Sequence, residues 1–359
     1  MKPLKLVAAN DTFGALNKTI ELLQGNLALF ITPPEINGLM PEVHGLPDEV
    51  HDDVALIVES SGSTGKPKRI ELGSQALISS AEASAKHLGG SGQWLLALPI
   101  NFIAGMNVLV RSVLAETQPV MMNTQLPFTA EAFARSALLM TGEKRFTSLV
   151  PAQLKKLAQL AEVDSDLHRV LRSFDAILIG GQAPDWDLVS RLRSEGIKIV
   201  VSYGMTETCG GCVYDGTPLE GVGIRVSSGV ISISGPMLAN GYSPWFETSD
   251  LGEFEYGNLK VLGRADRVII SGGLKVSLES IEAEALKIPG VEAVAAAGVS
   301  SEWGQSVGLV YVGSPEVSFE SLGDLSRAAK VAKVVRVANL PALPSGKPDL
   351  QAIKKLLDE

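Results

Sequence analysis

Short apolar runs alternate with amphipathic helical patterns through the middle of the chain, and this alternation constrains the fold more than any other feature. The apolar runs predict strands at 54–58, 94–98, 119–122, 146–149, 176–179 and 198–202. Helical patterns between them predict helices at 74–88, 104–114, 129–138, 151–160 and 186–194. Such alternation is typical of a parallel α/β sheet. Because ligands of these sheets bind beyond the carboxyl ends of the strands, the stretches that follow each strand are candidate site segments.

The pattern of apolar and polar residues changes on both sides of this region. Near the N-terminus, Phe13, Leu16, Ile20 and Leu23 recur at helical spacing, which predicts a helix that buries this face, with Asn10 or Asp11 as its N-cap. After residue 211, β-branched runs and frequent turn signals predict a small antiparallel sheet or barrel. The remaining segment predicts a small α+β unit, with helices at 277–287, 317–329 and 349–357 and strands at 291–299, 306–312 and 333–337.

These textures predict two domains. The first would span residues 1–265, with an α/β core at 1–210 and a β-rich subdomain at 211–262. The second would be an α+β lid domain at 266–359, joined through a hinge near 264–267. The predicted fold class is therefore α/β, with a β-barrel-like subdomain and a small mobile C-terminal domain.

Composition excludes some classes of protein. The 359 residues carry a formal net charge of −9, which argues against nucleic-acid binding but not against small anionic ligands. No apolar window is long enough for a membrane span, and the N-terminal apolar part is too short for a secretion signal, so a cytoplasmic enzyme is the expectation. Cys209 and Cys212 form a C-x-x-C pair without a second pair of ligands at a zinc-like spacing, so we interpret them as incidental thiols.

The stretch "SSGSTGKPK" at residues 60–68 follows the first apolar run and suggests a phosphate loop. It is not a Walker loop, because Gly62 and Gly65 stand only three apart and Lys66 is followed by Pro67. Hydroxyls, backbone N–H groups and a lysine could still wrap a mobile pyrophosphate, although a solvated hairpin turn is the alternative. Lys68 is the expected phosphate-contacting lysine. The predicted phosphate-binding residues are Ser60, Ser61, Gly62, Ser63, Thr64, Gly65 and Lys68.

Other stretches offer chemistry that suits a nucleotide. In "YGMTET", Thr206 offers a hydroxyl to phosphate and Glu207 offers a hard oxygen to Mg²⁺, although both could simply cap a helix. In "ILIGGQAP", two glycines after a strand would let a flat ring approach the backbone, or form a tight turn. Asp250 could accept both hydroxyls of a ribose, or belong to a turn. Lys347 lies in a Pro/Gly/Ser loop, where surface charge is the alternative.

Six motifs occur in a fixed order: S-S-G-S-T-G-K-P-K, G-G-Q-A-P, Y-G-M-T-E-T, T-S-D-L-G, G-R-A-D-R and P-S-G-K. From about residue 54 to the end, the chain resembles the adenylate-forming superfamily of acyl-CoA synthetases, luciferases and peptide-synthetase adenylation domains. The resemblance implies that ATP and a carboxylate form an acyl-adenylate and pyrophosphate, and that a thiol, usually that of CoA, then displaces AMP. ATP, Mg²⁺ and CoA are the implied cofactor and co-substrates.

The resemblance also implies residue roles. Lys347 matches the catalytic lysine, Glu207 the Mg²⁺ ligand and Thr206 the α-phosphate contact. The family's small C-terminal domain rotates between half-reactions near the position of Asp266. After this rotation, Gly272, Gly273 and Lys275 would face the thiol tunnel. The implied adenine and ribose contacts are Gly180, Gly181, Gln182, Ser202, Tyr203, Gly204, Met205, Asp250 and Arg264.

Within the superfamily, the chain is most similar to short o-succinylbenzoate–CoA ligases of menaquinone biosynthesis, through "LLALPINFIAGMNVLVRSVLA", "TSLVPAQLKKL" and "GGLKVS". Phe102 stands where this branch often has histidine, Ser249 where the family usually has glycine, and Arg267 where the second of two adjacent acids is usual. Three other functions stay open: a ligase for another aryl or short acyl acid, a domain that loads a carrier protein, and a non-catalytic nucleotide-binding relative. Assembly into a homodimer also stays open. The predicted acyl-pocket residues are Asn101, Phe102, Ser148, Leu149, Val150 and Gln153.

Overall fold

The computed structural model describes residues 1–60, 68–271, 273–301, 304–322, 330–342 and 348–359. The chain divides into two compact units. Unit one comprises Met1–Arg225, Ser232–Phe246 and Tyr256–Leu259, and unit two comprises Val226–Ile231, Glu247–Glu255 and Lys260–Glu359. The predicted domain limits stay a prediction. Among the described residues, no helix combines the length and the apolar character that crossing a membrane requires.

Unit one begins with a five-stranded mixed sheet in the order β3-β1-β2-β4-β5. Strands β1, β2 and β4 run parallel, whereas β3 and β5 pair antiparallel at the two edges. The apolar run predicted at 54–58 therefore lies in this sheet, and β4 and β5 are the two strands that the phosphate-loop stretch joins. The elements are β1 (Lys2–Ala8), α1 (Thr12–Leu23), β2 (Ala28–Thr32), β3 (Glu49–Val50), β4 (Leu56–Ser60), β5 (Lys68–Leu72) and α2 (Ser74–His87).

The first helix buries a different face from the predicted one. Asp11 caps α1 by accepting a hydrogen bond from the Gly14 N–H at 2.9 Å. It is one of the two residues predicted as the N-cap. Phe13 and Ile20, however, are 69% and 46% exposed. The buried face contains small residues that allow close packing against a later helix, α3 (Ile103–Leu114). This face comprises Ala15, Leu16, Thr19 and Leu22.

A seven-stranded sheet forms the larger part of unit one, in the order β12-β11-β10-β9-β8-β6-β7. Five of its strands, β6 to β10, run parallel as predicted, and β11 and β12 extend the edge antiparallel. The elements are β6 (Gln93–Leu96), α3 (Ile103–Leu114), β7 (Val120–Met121), α4 (Ala130–Ala137), β8 (Arg145–Leu149), α5 (Pro151–Ala161), α6 (Ser165–Arg172), β9 (Ala176–Ile179), α7 (Trp186–Ser194), β10 (Ile199–Met205), β11 (Gly210–Tyr214) and β12 (Thr217–Pro218).

Helices α4 to α7 cover this sheet over one apolar core. Leu95, Leu149, Ile177 and Ile199 from four parallel strands pack with Phe133 and other buried helical side chains. Burying each large apolar side chain stabilises the fold by about 1.5–3 kcal/mol relative to exposure. The core therefore fixes the parallel strands side by side and aligns their carboxyl ends.

A four-stranded sheet follows, in the order β13-β14-β15-β16, and the division between the two units passes through it. Its strands supply the β-rich texture that the sequence predicts after residue 211. The strands are β13 (Gly223–Ser227), β14 (Val230–Ser234), β15 (Phe246–Glu255) and β16 (Asn258–Arg264).

Unit two continues with an α+β sheet. Its order is β18-β17-β20-β19, and β21 pairs with β20. Successive residues of β19 point to opposite faces, as a strand requires. Val294 and Ala296 pack in the core that includes α8, whereas Ala295 and Ala297 pack in the core that includes α9. The elements are β17 (Val268–Ser271), β18 (Leu274–Ser277), α8 (Leu278–Ala285), β19 (Val291–Ser301), β20 (Gly304–Gly313), β21 (Val331–Arg336) and α9 (Leu350–Asp358).

A buried ion pair connects three elements of unit two. Arg267, which replaces a usual acid, is buried and forms an ion pair with Glu282 of α8. Arg267 also donates to the Ala296 carbonyl at 2.8 Å, and the Ala296 N–H donates to Glu282 at 2.6 Å. The guanidinium and the carboxylate therefore satisfy each other and the backbone of β19, so Arg267 has a structural role.

We expect Glu282→Gln to destabilise unit two, because it leaves a buried guanidinium without its counter-charge. Breaking one partner of a buried pair costs about 3–5 kcal/mol. In the full-length chain, amides of β19 that exchange through the opening of this unit should then exchange at least about a hundredfold faster, and up to about several thousandfold faster, in hydrogen-exchange mass spectrometry. Glu284→Gln removes the exposed partner of Lys287 and is the matched control, with an expected cost of about 0–1 kcal/mol. Equal exchange in the two variants would contradict the structural role of Arg267.

Candidate active site

The predicted adenine and acyl segments meet at the carboxyl ends of β6, β8, β9 and β10. The Gly180 N–H, just after β9, donates to the Leu149 carbonyl of β8 at 3.3 Å. A Cβ atom on Gly180 would lie 2.9 Å from the Ser202 carbonyl of β10, so a larger residue would push the strand ends apart. The structure therefore brings Gly180, Leu149 and Ser202 together, as the parallel sheet predicts.

The predicted acyl-pocket residues differ in their surroundings. Asn101 and Phe102 follow β6 and are half-buried, and so is Val150. Leu149 is buried in the core of the sheet, and Ser148 is also buried.

Gln153 uses both ends of its amide within the fold. Its Oε1 accepts from the Val150 N–H at 3.1 Å, and its Nε2 donates to the Ala97 carbonyl at 3.0 Å. The side chain therefore joins the ends of β6 and β8. A ligand could contact the part of Asn101, Phe102 and Val150 that is exposed. The acyl pocket itself stays a prediction.

Thr206 and Glu207 lie on a short 3-10 turn, Thr206–Thr208, between β10 and β11. Both residues are half-buried. The Met205 N–H donates to Thr208 Oγ1 at 2.9 Å, and the Thr208 hydroxyl donates to the Gly210 carbonyl at 2.7 Å. These bonds close the turn on itself. The predicted phosphate and metal contacts are therefore held on a turn at the end of a strand.

Glycine at position 204 allows β10 and β11 to approach closely beside this turn. A Cβ atom there would lie 2.0 Å from the Gly210 carbonyl oxygen, a distance that no side chain could tolerate. The pairing register shifts at the same place, between Tyr203 and Gly204. The close approach of the two strands therefore requires glycine at this position of the "YGMTET" motif, whether or not a ligand binds there.

Two pairs of polar residues on α2 and α3 hold the far side of the turn, and we call them the polar brace: Ser80 and Ser84 on α2, Asn107 and Arg111 on α3. Members of each pair stand four residues apart and therefore share one helix face. Asn107 and Ser80 donate to the Cys209 carbonyl at 2.8 and 3.2 Å. Ser84 and Arg111 bond the Tyr214 hydroxyl at 2.8 and 3.2 Å. The polar brace therefore forms hydrogen bonds at both ends of β11, to Cys209 just before the strand and to Tyr214 at its end.

Cys209 contributes to the turn through its backbone. Its φ of 50° is in the left-handed region, and its carbonyl is the acceptor at the centre of the brace. Burial raises the pKa of the Cys212 thiol to about 12, and burial also raises the pKa of Cys209. Both thiols are thus protonated at neutral pH and poor nucleophiles, in line with the interpretation of incidental thiols.

Lys68 begins β5 and contacts a residue that the sequence did not single out. Its ammonium donates to the Tyr242 hydroxyl at 2.6 Å and lies 5.1 Å from the centre of that ring. The hydrogen bond to Tyr242 raises the pKa of Lys68, and the charge of Glu207 adds to the effect. The only signal for Tyr242 was the turn-like "NGYSP", which carries no chemistry by itself.

Asp250 and Arg264, the two predicted ribose contacts, lie close together in unit two. Asp250 lies inside β15, with 8% of its surface exposed, and Arg264 ends β16. Their closest N–O distance is 3.5 Å. Arg264 also makes a bidentate pair with Asp266, at 2.8 and 2.7 Å. This hydrogen bonding lowers the pKa of Asp266 and raises that of Arg264.

The remaining predicted site residues differ in their exposure, and some lie outside the described ranges. Gly181, Gln182, Gly273 and Lys275 are exposed, and Tyr203 and Met205 are half-buried at the end of β10. Ser60 ends β4. The residues outside the described ranges are Ser61, Gly62, Ser63, Thr64, Gly65, Gly272 and Lys347.

The donor set suits magnesium better than a transition metal. Within the described ranges, no three His, Cys, Asp or Glu side chains are grouped to hold a metal ion. Mg²⁺ is usually held by one or two carboxylates together with substrate phosphates, rather than by a cage of protein ligands. A single carboxylate on the turn, that of Glu207, fits this kind of binding.

Comparisons with known proteins show the family of the chain. The model of a family described as AMP-binding enzyme matches residues 17–235. The probable 2-succinylbenzoate–CoA ligase of Mycobacterium tuberculosis is 38% identical over 341 residues, which cover 90% of this chain and 88% of that protein. The 2-succinylbenzoate–CoA ligase of Bacillus licheniformis is 30% identical over 314 residues, which cover 77% of this chain but only 63% of that protein.

A solved structure shares the fold. The o-succinylbenzoate CoA synthetase of Bacillus subtilis, in complex with its acyl-adenylate intermediate, superposes with a TM-score of 0.75 at 25% identity. The match covers 95% of this chain and 81% of that one. The predicted α/β fold class and the resemblance to adenylate-forming enzymes are confirmed.

The polar brace makes a prediction about stability. We expect Asn107→Leu to lower the free energy of unfolding by about 1–3 kcal/mol, because the buried Cys209 carbonyl loses its shorter hydrogen bond. Ser80→Ala removes the longer bond and should cost less. Asn26→Leu changes an exposed asparagine and should stay within about 0.5 kcal/mol. Chemical denaturation of the three full-length variants measures the order, and a loss for Ser80→Ala larger than for Asn107→Leu would contradict it.

Proposed function

The chain belongs to the AMP-binding enzyme family, and from this membership we propose that it is an ATP-dependent o-succinylbenzoate–CoA ligase. The observation that carries the proposal is the similarity, over 90% of the chain, to a relative named for this reaction. The geometry of the turn that holds Thr206 and Glu207 supports it. The resemblance assigns this reaction to menaquinone biosynthesis.

The reaction has two steps. A carboxylate oxygen of o-succinylbenzoate attacks the α-phosphorus of ATP, a new O–P bond forms, and the bond to the bridging oxygen of pyrophosphate breaks. The thiolate of CoA then attacks the acyl carbonyl, an S–C bond forms, and AMP leaves with the electron pair of the C–O bond. The products are o-succinylbenzoyl-CoA, AMP, pyrophosphate and the proton that the thiol loses.

The first step brings together two anions, so positioning and charge neutralisation lower its barrier most. Lys68 would contact the β- and γ-phosphates that leave as pyrophosphate. The Thr206 hydroxyl would donate to the α-phosphate, and Glu207 would hold Mg²⁺, which neutralises phosphate charge when bound. The charge of Glu207 contributes to the raised pKa of Lys68, which supports this division of roles.

Adenine would lie against the backbone at Gly180, where close packing of β9 and β10 leaves no room for a side chain. Asp250 would accept the ribose hydroxyls, and Arg264 would donate to the same ribose. The acyl group would contact Phe102 and Val150. Since the amide of Gln153 is already bonded at both ends, we assign it to the pocket wall rather than to recognition of a carboxylate.

Lys347 would bridge the acyl carboxylate and the α-phosphate during the first step. After rotation of the C-terminal domain, Lys275 and Gly273 would face the thiol of CoA. The exposure of the β17–β18 hairpin tip supports the second role. A hinge closure of this kind would separate the two half-reactions in time.

A panel of acids tests the proposal. With Mg²⁺ and ATP, the full-length chain should form an acyl-adenylate from o-succinylbenzoate, detected by mass spectrometry, and a thioester when CoA is added. Benzoate and short aliphatic acids should react at least about tenfold more slowly, since they lack one of the two carboxylates or the ring. Adenylate from another aryl acid alone would transfer the proposal to that acid. Adenylate from no acid would indicate a nucleotide-binding relative without ligase activity.

Substitution of the C-terminal lysine tests the two-step mechanism. We expect Lys347→Ala to reduce acyl-adenylate formation by about a hundredfold or more, because a charge that stabilises the transition state is lost. Thioester formation from supplied acyl-adenylate should change little. Lys354→Ala, an exposed lysine on α9, is the control that should leave both steps intact. Equal losses in both steps for Lys347→Ala would contradict separate roles for the two half-reactions.

A further inference from the structure

We propose that Tyr242 is a positioning residue for the phosphate-binding lysine. Its hydroxyl would hold the Lys68 ammonium in place until phosphate oxygens of the nucleotide replace it as the hydrogen-bond partner. This inference rests on the proposed function, in which Lys68 contacts pyrophosphate. Tyr242 would act through Lys68 and would touch no reacting atom itself.

The contact between the two side chains has the geometry of a holding interaction. Lys68 donates to the Tyr242 hydroxyl at 2.6 Å, although the two residues are 174 positions apart in the chain. The Tyr242 ring packs edge-to-face on Phe246, with the ring centres 4.8 Å apart and the planes at 86°. A hydroxyl on an aromatic ring that is itself packed gives the mobile lysine head a fixed partner.

The segment that carries Tyr242 is fixed at the site. The Ala239 N–H donates to the Glu207 carbonyl at 2.9 Å, and the Asn240 N–H donates to the Glu71 carbonyl of β5 at 2.9 Å. One loop is thus bonded to the turn that bears Glu207 and to the strand that begins with Lys68. Because the loop spans both, Tyr242 sets the position of the ammonium relative to the Glu207 turn.

The chemistry of the partner allows release. A neutral hydroxyl accepts one hydrogen bond from the ammonium and leaves its charge intact. A carboxylate would form an ion pair with the ammonium and compete with phosphate more strongly than a hydroxyl does, because both of its partners would then be charged. Phosphate oxygens can therefore displace the tyrosine hydroxyl, and a lysine already held at the site loses less conformational entropy on binding them.

The test separates the hydroxyl from the ring. Tyr242→Phe removes the hydroxyl and keeps the edge-to-face contact with Phe246. We expect the dissociation constant of the full-length chain for pyrophosphate with Mg²⁺, measured by titration calorimetry, to rise about tenfold. The KM for ATP in acyl-adenylate formation should rise by a similar factor, with kcat within about twofold. Tyr256→Phe, at a tyrosine that is 98% exposed, is the matched control and should change neither value.

A double-mutant cycle decides whether Tyr242 acts through Lys68. In a Lys68→Met background, Tyr242→Phe should change pyrophosphate affinity by less than about twofold, because the group that it positions is gone. The same loss in both backgrounds, no loss in either, or a wild-type chain that does not bind pyrophosphate would overturn the inference.

The titration does not need an acyl substrate, so the two proposals can fail separately. Coupled effects of Tyr242 and Lys68 on pyrophosphate binding, in a chain that forms no acyl-adenylate, would overturn the ligase and leave the inference standing. Acyl-adenylate formation from o-succinylbenzoate with additive effects of the two substitutions would overturn the inference alone.

Discussion

Parallel pairing of β6, β8, β9 and β10 is the constraint on which the arrangement of unit one depends. Parallel strands need long crossovers, and the helices that form them cover the sheet and make its strands buried and apolar. The same pairing puts four strand ends at one edge, where side chains need not pack in the core. The Gly180 contacts to the ends of β8 and β10 show how close these ends are. A site at this edge is thus a by-product of the way in which the core is built.

The sequence predicted this part of the fold well because its signals are local. Apolar runs of four or five residues and helical periodicity lie within single elements, and β9 and α7 have the predicted bounds, Ala176–Ile179 and Trp186–Ser194. The face that α1 buries could not be predicted from helical spacing, because the exposed Phe13 and the buried Leu16 both fit the same helical period. Close packing against α3 selected the face with Ala15 and Thr19, and that choice depends on a partner distant in sequence.

The candidate site shows the same division. Motifs identified Thr206 and Glu207, because their chemistry and spacing are visible in six consecutive letters. The polar brace behind them was not visible. Asn107 and Ser80 are isolated polar residues in helical patterns, and their common target is a backbone carbonyl, which no side-chain motif encodes. Tyr242 was missed for a similar reason, since its partner Lys68 is joined to it only by the folded chain.

The partners of two cations bear on how an acidic protein could bind the anion that we propose as its substrate. The net charge is −9, yet two cations of unit one contact neutral partners. Lys68 meets the Tyr242 hydroxyl, and the buried Arg111 lies 4.7 Å from the centre of the Trp94 ring and bonds the Tyr214 hydroxyl.

Other cations of the chain have carboxylate partners, in unit one as well as in unit two. Arg264 pairs with Asp266, and Arg267 pairs with Glu282. A carboxylate partner fixes geometry and cancels the charge, whereas a hydroxyl or an aromatic ring fixes geometry and leaves the charge in place. The difference matters for ATP, whose phosphates would otherwise meet the field of an acidic protein. The hydroxyl partner of Lys68 therefore suits the phosphate contact that we propose for this lysine.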